Sequence, residues 1–350
     1  MISKCFALAS RGSGPAHSAA LVRPRRSMLP PLACAYSSHA TPKESAQGAR
    51  KKVTLQGIRK LYESGKPITM MTAHDYPSGL ICDRAGLDTV LVGDSLAMVA
   101  LGHDSTNRIA LDEMIHHAQA VARGCKAPFI IGDLPFGTYE RNPEQALDSA
   151  IRFVREGNVE AVKLEGGKEM TPTINKLVSV GIPVLGHIGL TPQRSVSLSG
   201  FKVQGKTADS AKRLLEDALT VQEAGCFAMV LEAVPAYVAQ EITKRLSIPT
   251  IGIGAGPFCS GQVLVFQDIM GVFDAFQPKF CKQYASLGPA MTKALEAYRE
   301  DVRSRTFPDL QQHCYDMDET ERQKFEDWLS LESPPPPPPP ASQTPPPRRK

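Results

Sequence analysis

The segment TVLVGDSLAMV, residues 89–99, starts as a run of apolar residues and stops at a carboxylate, Asp94, which is followed directly by Ser95. The apolar, β-branched run predicts a buried strand. A charged side chain is costly inside a core, so Asp94 is expected where the strand opens towards a cavity. This expectation requires a sheet whose strand ends surround a common cavity.

Seven further short runs rich in Val and Ile alternate with longer segments of helical periodicity. The eight predicted strands cover residues 68–73, 89–94, 128–133, 160–166, 183–187, 227–232, 249–254 and 262–268. Strands that alternate with helices are typical of a parallel sheet built from βα units. Eight units in roughly 250 residues predict an α/β fold, a closed (β/α)₈ TIM barrel. A doubly wound open sheet is the alternative.

Three of the intervening helices carry boundary signals. Asn142 is expected to cap a helix that has Pro143 in its first position and stops at Gly157. A second apolar face runs over residues 111–122 and stops at Gly124, and a third runs over 214–221 before Gly225.

The charge of the chain is concentrated at its two ends. The formal net charge is +4, but the first 50 residues hold seven Lys and Arg against the single acid Glu44, and the last three residues are all basic. The residues between them carry a net charge of −5. A weakly acidic body gives no electrostatic footprint for nucleic acid, so no nucleic-acid partner is expected.

Composition also divides the chain into segments. Residues 1–50, rich in Arg, Ser and Ala, have the composition of a mitochondrial transit peptide, with a cytoplasmic location as the alternative. Residues 333–350 are rich in Pro and predict a disordered tail. Residues 51–332 are then expected to be the folded domain that contains the barrel and the C-terminal helices. No apolar run is long enough for a membrane span, and the eight cysteines contain no C-x-x-C pair, which fits neither a disulfide framework nor a zinc cluster.

Polar residues recur at the predicted strand ends, where the βα loops of a barrel meet. They are His74, Asp75, Asp94, Ser95, Asp133, Lys163, Glu165, His187 and Glu232. Three of the acids, Asp94, Asp133 and Glu165, could converge only around a cation, because carboxylates brought close together otherwise raise each other's pKa. Oxygen-only ligands favour Mg²⁺. With Lys163 on the same strand face as Glu165, the cluster suggests a small carboxylate or 2-oxo acid as substrate.

Eight motifs in order resemble those of the ketopantoate hydroxymethyltransferase family, also called 3-methyl-2-oxobutanoate hydroxymethyltransferase. They are VLVGDSLAMV, GHDST, GDLPFGTY, VKLEGG, GHIGLTPQ, GFKVQGK, VLEAVP and IGIGAG, and the resemblance runs from about residue 53 to about residue 284. No single motif would be specific, but the ordered set is.

The resemblance implies a barrel of the phosphoenolpyruvate mutase/isocitrate lyase type, assembled into a high homo-oligomer. It implies transfer of a hydroxymethyl group from 5,10-methylenetetrahydrofolate to 3-methyl-2-oxobutanoate, giving 2-dehydropantoate for pantothenate and coenzyme A. A lyase or mutase acting on a 2-oxo acid from the same barrel is the nearest alternative, and a noncatalytic scaffold is a more distant one.

The resemblance also assigns roles to residues at the strand ends. Asp94 and Asp133 would hold Mg²⁺, with Glu165 completing the metal site directly or through water. Ser95 and Lys163 would bind the substrate carboxylate or oxo group, His187 would lie close to the substrate, and Glu232 would accept the C3 proton.

Two positions depart from the family pattern. Ser260 stands where bacterial members tend to have Asp, and Gln267 stands where His is frequent. The resemblance therefore supports contacts with folate or with other subunits less strongly than it supports the metal site. Residues 287–331 resemble the family only loosely and predict an amphipathic helix for packing or subunit contact.

Overall fold

A computed structural model describes residues 50–273 and 277–332. The proposed transit segment up to residue 49 and the Pro-rich tail from residue 333 lie outside the described residues. Within them the strands are β1 (Ile68–Thr72), β2 (Thr89–Val92), β3 (Phe129–Asp133), β4 (Ala161–Glu165), β5 (Val184–Gly189), β6 (Ala228–Glu232), β7 (Thr250–Ile253) and β8 (Gly261–Leu264). The helices are α1 (Leu55–Glu63), α2 (Tyr76–Arg84), α3 (Leu96–Val99), α4 (Leu111–Gly124), α5 (Pro143–Gly157), α6 (Thr171–Ser179), α7 (Ala208–Glu223), α8 (Ala236–Arg245), α9 (Phe266–Ile269), α10 (Leu287–Ser304) and α11 (Glu319–Leu331).

The eight strands form one closed parallel barrel. Each strand pairs with its successor in sequence, and β8 returns to β1 with Ile68 opposite Gly261 and Met71 opposite Leu264. The predicted (β/α)₈ barrel is confirmed, and the doubly wound open sheet is wrong, because that sheet would leave β1 and β8 unpaired with each other.

Successive side chains of each strand point to opposite faces, and they contribute to two separate apolar layers. One buried cluster, including Val90, Val162 and Leu164, mixes strand and helix residues and fills the space between the barrel and its helices. The other contains strand residues such as Ile131 and Leu185 together with Ile58 of α1. Because side chains alternate faces, Lys163 and Glu165 point to the same side as Ala161, a member of the second cluster. The barrel interior is therefore apolar at one end and charged at the carboxyl end.

The predicted helix boundaries agree with the structure in two cases and differ slightly in the third. Helix α4 ends at Gly124, and Asn142 caps α5 by accepting a hydrogen bond from the Gln145 amide at 2.8 Å. The α5 helix includes Gly157 as its last residue, and the left-handed residue that turns the chain is Asn158 at φ 56°. Helix α7 ends at Glu223, before Gly225.

The predicted last strand is wrong over its second half. β8 ends at Leu264, and the chain turns into α9, where the Phe266 amide donates to Thr72 Oγ1 at 3.0 Å. The apolar run continues past the end of the strand, so periodicity could not show the turn. As a result Gln267 and Asp268 lie on a helical turn at the mouth of the barrel.

The two C-terminal helices present apolar side chains at the surface of the chain. In α10 these are Met291, Leu295, Tyr298 and Val302, and neither α10 nor α11 contains a buried residue. The amphipathic helix predicted for 287–331 is thus two helices, and its role in subunit contact stays a prediction. Across the described ranges, no helix is long and apolar enough to cross a membrane.

Candidate active site

The predicted site residues lie together at the carboxyl ends of neighbouring strands. Asp94 follows β2, Asp133 ends β3, and Lys163 and Glu165 are on β4. His187 is on β5 and Glu232 ends β6. The side chains of Lys163, Asp133, Glu165 and His187 are at most 4% exposed, while that of Glu232 is 15% exposed. The carboxyl ends therefore form one buried charged cluster with Glu232 nearest to solvent.

Strand pairing fixes the central contacts of this cluster. Asp133 lies opposite Lys163 in the β3–β4 pair, and Glu165 lies opposite His187 in the β4–β5 pair. Lys163 Nζ lies 2.5 Å from Asp133 Oδ2 and 3.8 Å from Glu165 Oε1. Burial alone would lower the pKa of Lys163, but Asp133, Glu165 and Asp94 outweigh it and raise the pKa, so the ammonium stays charged.

Asp94 and Asp133 form a pair of buried acids. The Asp94 amide donates to Asp133 Oδ2 at 3.4 Å, and Asp133 Oδ1 is buried without a hydrogen-bond partner in the described part of the chain. Burial, followed by the neighbouring Asp133 carboxylate, raises the pKa of Asp94 well above its usual value. Burial also raises the pKa of Asp133 despite the contact with Lys163. The protein's own groups thus leave this pair short of positive charge.

That shortage is the condition under which a hard cation binds. Mg²⁺ takes oxygen ligands and keeps several waters, so it needs only one or two protein carboxylates. Glu165 differs from the two aspartates in its pKa: burial alone would raise it, but His187 and Lys163 outweigh burial and lower it. Its Oε2 accepts from the Gln193 backbone amide at 3.1 Å, and its Oε1, which has no hydrogen-bond partner in the described part of the chain, faces His187. Over residues 50–273 and 277–332, no three His, Cys, Asp or Glu side chains are arranged as a metal site. The donor set fits an ion held by Asp94 and Asp133, with Glu165 acting through water.

His187 lies between two carboxylates. Its Nδ1 is 3.3 Å from Glu165 Oε1, and its Nε2 is 3.2 Å from Glu232 Oε2. Burial and Lys163 lower the pKa of His187, but the two glutamates outweigh them and raise it to about 9. His187 is therefore an imidazolium at neutral pH, and its ion pair with Glu232 links that residue to the buried cluster.

Two residues that the sequence analysis did not single out hold the cluster in place. Gln193 Nε2 donates to Asp94 Oδ2 at 2.9 Å, and Gln193 Oε1 accepts from the Tyr139 hydroxyl at 2.5 Å. The Tyr139 hydroxyl also accepts from the Glu165 amide at 3.3 Å. Both residues close quoted motifs, GDLPFGTY and GHIGLTPQ, which was the signal that could have identified them.

Replacing Tyr139 by Phe should destabilise the protein by about 1–3 kcal/mol, because the buried Gln193 carbonyl loses its donor. The near-isosteric ring keeps the core filled. Urea unfolding of the variant measures the loss, with Tyr237→Phe as the matched control, since Tyr237 is 72% exposed. Equal stability of the two variants would show that the hydroxyl does not support Gln193.

Ser95 and Glu232 open onto a cleft of about 740 Å³ at the barrel mouth. The lining is mainly apolar, with Met98, Phe201, Ile253, Val265 and Phe280 among its residues. Such a volume falls in the range of about 300–1,000 Å³ typical of ligand sites. The charged cluster therefore has an open side that admits a molecule larger than a simple 2-oxo acid.

The two departures from the family pattern lie in different places. Ser260 Oγ accepts from the Thr250 amide at 3.2 Å, at the amino ends of β7 and β8 and hence away from the mouth. Gln267 lies at the mouth, with Nε2 2.6 Å from His74 Nδ1. Only the second departure touches the rim of the site.

Comparison with known proteins agrees with this geometry. A family model described as ketopantoate hydroxymethyltransferase matches residues 52–310. A 3-methyl-2-oxobutanoate hydroxymethyltransferase of Emericella nidulans is 53% identical over 298 residues, which are 85% of each chain. The mitochondrial 3-methyl-2-oxobutanoate hydroxymethyltransferase 1 of Arabidopsis thaliana is 52% identical over 268 residues, covering 75% of this chain and 77% of that protein.

Among solved structures, a phosphonopyruvate hydrolase aligns with a TM-score of 0.52 at 13% identity, covering 81% of this chain and 98% of its own. At that identity the likeness shows a shared barrel and no more. The family match and the sequence identities go further: this chain belongs to the ketopantoate hydroxymethyltransferase family of enzymes.

Proposed function

We propose that this protein transfers a hydroxymethyl group from 5,10-methylenetetrahydrofolate to 3-methyl-2-oxobutanoate, giving 2-dehydropantoate. The family and the names of its relatives support this reaction. The observation that carries it is that the buried charged cluster and the large cleft meet at Glu232. The cluster contains Asp94, Asp133 and Lys163, and His187 links it to Glu232, which opens onto the cleft.

Lys163 and Ser95 would bind the 2-oxo acid, Lys163 through its positive charge and Ser95 through its hydroxyl group. The Lys163 ammonium, held by Asp133 at 2.5 Å, would attract the carboxylate or the oxo group of the acid. Ser95 lines the cleft directly after Asp94 and would donate a hydrogen bond to the same end of the molecule. The acid is thereby oriented with C3 towards Glu232.

Asp94 and Asp133 would hold Mg²⁺, with Glu165 contributing through water. When bound, the ion supplies Lewis-acid stabilisation of the negative charge that develops on the 2-oxo oxygen. The unpartnered Asp133 Oδ1 and the raised pKa values of both aspartates support this assignment.

Glu232 would remove the C3 proton. Its carboxylate lies at the edge of the cleft, 3.2 Å from the His187 ring. His187 lies between Glu165 and Glu232, so it would position Glu232 close to the substrate. Water cleaves the carbon–nitrogen bonds that hold the methylene carbon, which releases tetrahydrofolate and leaves that carbon at the oxidation level of formaldehyde. The carbanion equivalent attacks this carbon, forming the new carbon–carbon bond, and the alkoxide that results takes back the proton held by Glu232, giving the hydroxymethyl group.

Proton exchange tests the reaction without the second substrate. Incubating the full-length protein with 3-methyl-2-oxobutanoate and Mg²⁺ in D₂O should place deuterium at C3, as followed by NMR. Adding 5,10-methylenetetrahydrofolate should then yield 2-dehydropantoate. Absence of exchange together with absence of this product would refute the proposed function, and a lyase or mutase would instead consume other 2-oxo acids.

Three further proposals concern the rest of the chain. Residues 51–332 are the catalytic domain, consistent with the match over 52–310. Mitochondrial targeting by residues 1–50 is supported by relatives named as mitochondrial in Arabidopsis thaliana and in rice, Oryza sativa. Assembly into a homo-oligomer is supported by the exposed apolar residues of α10.

A further inference from the structure

One acidic side chain in the large cleft has no task in the mechanism above. Asp268, on the helical turn α9 after β8, lines the same cleft as Ser95 and Glu232. Its side chain makes no hydrogen bond or ion pair with any residue that the structure describes. Burial raises the pKa of Asp268 to about 6, so its carboxylate is ionised in most molecules at neutral pH. A half-buried carboxylate without a partner lowers the stability of the fold unless a ligand supplies its hydrogen-bond donors.

The surroundings of Asp268 indicate what kind of ligand that is. The cleft has room beyond a small 2-oxo acid, and most of its lining is apolar. Phe280 lies against the backbone at the end of β7, since a Cβ added at Gly254 would come within 2.6 Å of its ring. Phe201 and Phe273 line the cleft as well. Flat rings with a polar edge suit such a space, because their faces pack on aromatic side chains.

The second substrate of the proposed reaction has a ring of this kind. The 2-amino-4-oxo pyrimidine edge of a pterin carries an N–H and an amino N–H side by side, and a carboxylate accepts two parallel N–H bonds well. We infer that Asp268 is the specificity residue for 5,10-methylenetetrahydrofolate, binding this edge of the pterin while the rest of the ring lies in the apolar cleft next to Glu232.

Two lysines at the cleft agree with this orientation. Lys202 and Lys279 line it and are exposed. The glutamate end of folate carries carboxylates, which the ammonium groups of these lysines would attract. The cleft thus has a negative group for the donor edge and positive groups for the acidic end. This inference rests on the proposed function.

The test is a binding cycle with two ligands. Titration calorimetry of the full-length protein would use tetrahydrofolate and its analogue in which a methyl group replaces the 2-amino group. Asp268→Asn should bind tetrahydrofolate about 10- to 100-fold more weakly than the unmodified protein, because an amide cannot accept both N–H donors. The unmodified protein should lose a similar factor with the analogue, and the variant should bind both ligands alike.

The matched control is Asp148→Asn on the exposed side of α5, which should bind tetrahydrofolate normally. Deuterium exchange at C3 in the absence of folate should be unchanged in Asp268→Asn, while product formation falls at low folate concentration. Normal tetrahydrofolate binding by Asp268→Asn, or an equal loss for both ligands, would overturn the inference and leave the proposed function standing. No exchange and no tetrahydrofolate binding by the unmodified protein would overturn both.

Discussion

Replacing Glu232 by Gln should lower deuterium exchange at C3 of 3-methyl-2-oxobutanoate by about 10²- to 10⁴-fold, the usual contribution of a positioned general base. The amide keeps the size of the side chain and can still meet the His187 ring, which lies 3.2 Å away, but it cannot take a proton. The aspartate pair is untouched. Binding of Mn²⁺, used as a paramagnetic substitute for Mg²⁺, should therefore keep the affinity of the unmodified protein.

A matched variant separates this effect from a general change in the protein. Glu216 lies exposed on α7, outside the cleft, and Glu216→Gln should exchange as the unmodified protein does. Exchange in Glu232→Gln within a few fold of that control would show that another group takes the proton.

Much of the architecture could be predicted because a parallel strand buried on both faces leaves a strong trace in the sequence. All eight strands overlap the predicted apolar runs, and several of these runs stop at polar residues, as at Asp133 and Glu232. In a closed barrel every strand end faces the same mouth, so fold prediction and site prediction were one step. The acids at the carboxyl ends of β2, β3 and β4 can therefore be grouped from the sequence.

The detailed contacts of the site residues depend on loop residues and on which neighbouring groups each acid contacts. Gln193 comes from the short turn after β5 and reaches Asp94 at 2.9 Å, a contact between residues far apart in sequence that no periodicity reports. The backbone amide of Gln193 also donates to Glu165, and His187 lies 3.3 Å from the same carboxylate. Three acids at strand ends look equivalent in sequence. Their surroundings distinguish them, because burial raises the pKa of Asp94 and Asp133, whereas His187 and Lys163 outweigh burial and lower the pKa of Glu165.

The helical turn that carries Asp268 shows the same limit. A run of apolar residues predicted one strand through residue 268, while the structure ends β8 at Leu264 and starts α9 at Phe266. In an extended strand, Gln267 and Asp268 would face opposite sides. On the helical turn, Gln267 is buried against His74 and Asp268 lines the cleft.

Asp133→Asn should abolish both metal binding and exchange, in contrast to Glu232→Gln. Loss of a supporting group around a bound metal typically costs about 10- to 100-fold in affinity, and removal of a direct ligand should cost at least that much. Mn²⁺ titration followed by electron paramagnetic resonance measures the affinity, and NMR in D₂O measures exchange.

The variant also removes the negative charge nearest to Lys163. Breaking a buried ion pair costs about 3–5 kcal/mol when the remaining charge has no other partner, but Glu165 Oε1 at 3.8 Å limits the loss here. Circular dichroism and urea unfolding therefore accompany the titration, with Asp148→Asn as the control. If a folded Asp133→Asn protein binds Mn²⁺ as the control does, Asp133 is not a ligand, and the shortage of positive charge around the two aspartates must be met by the substrate or by protons.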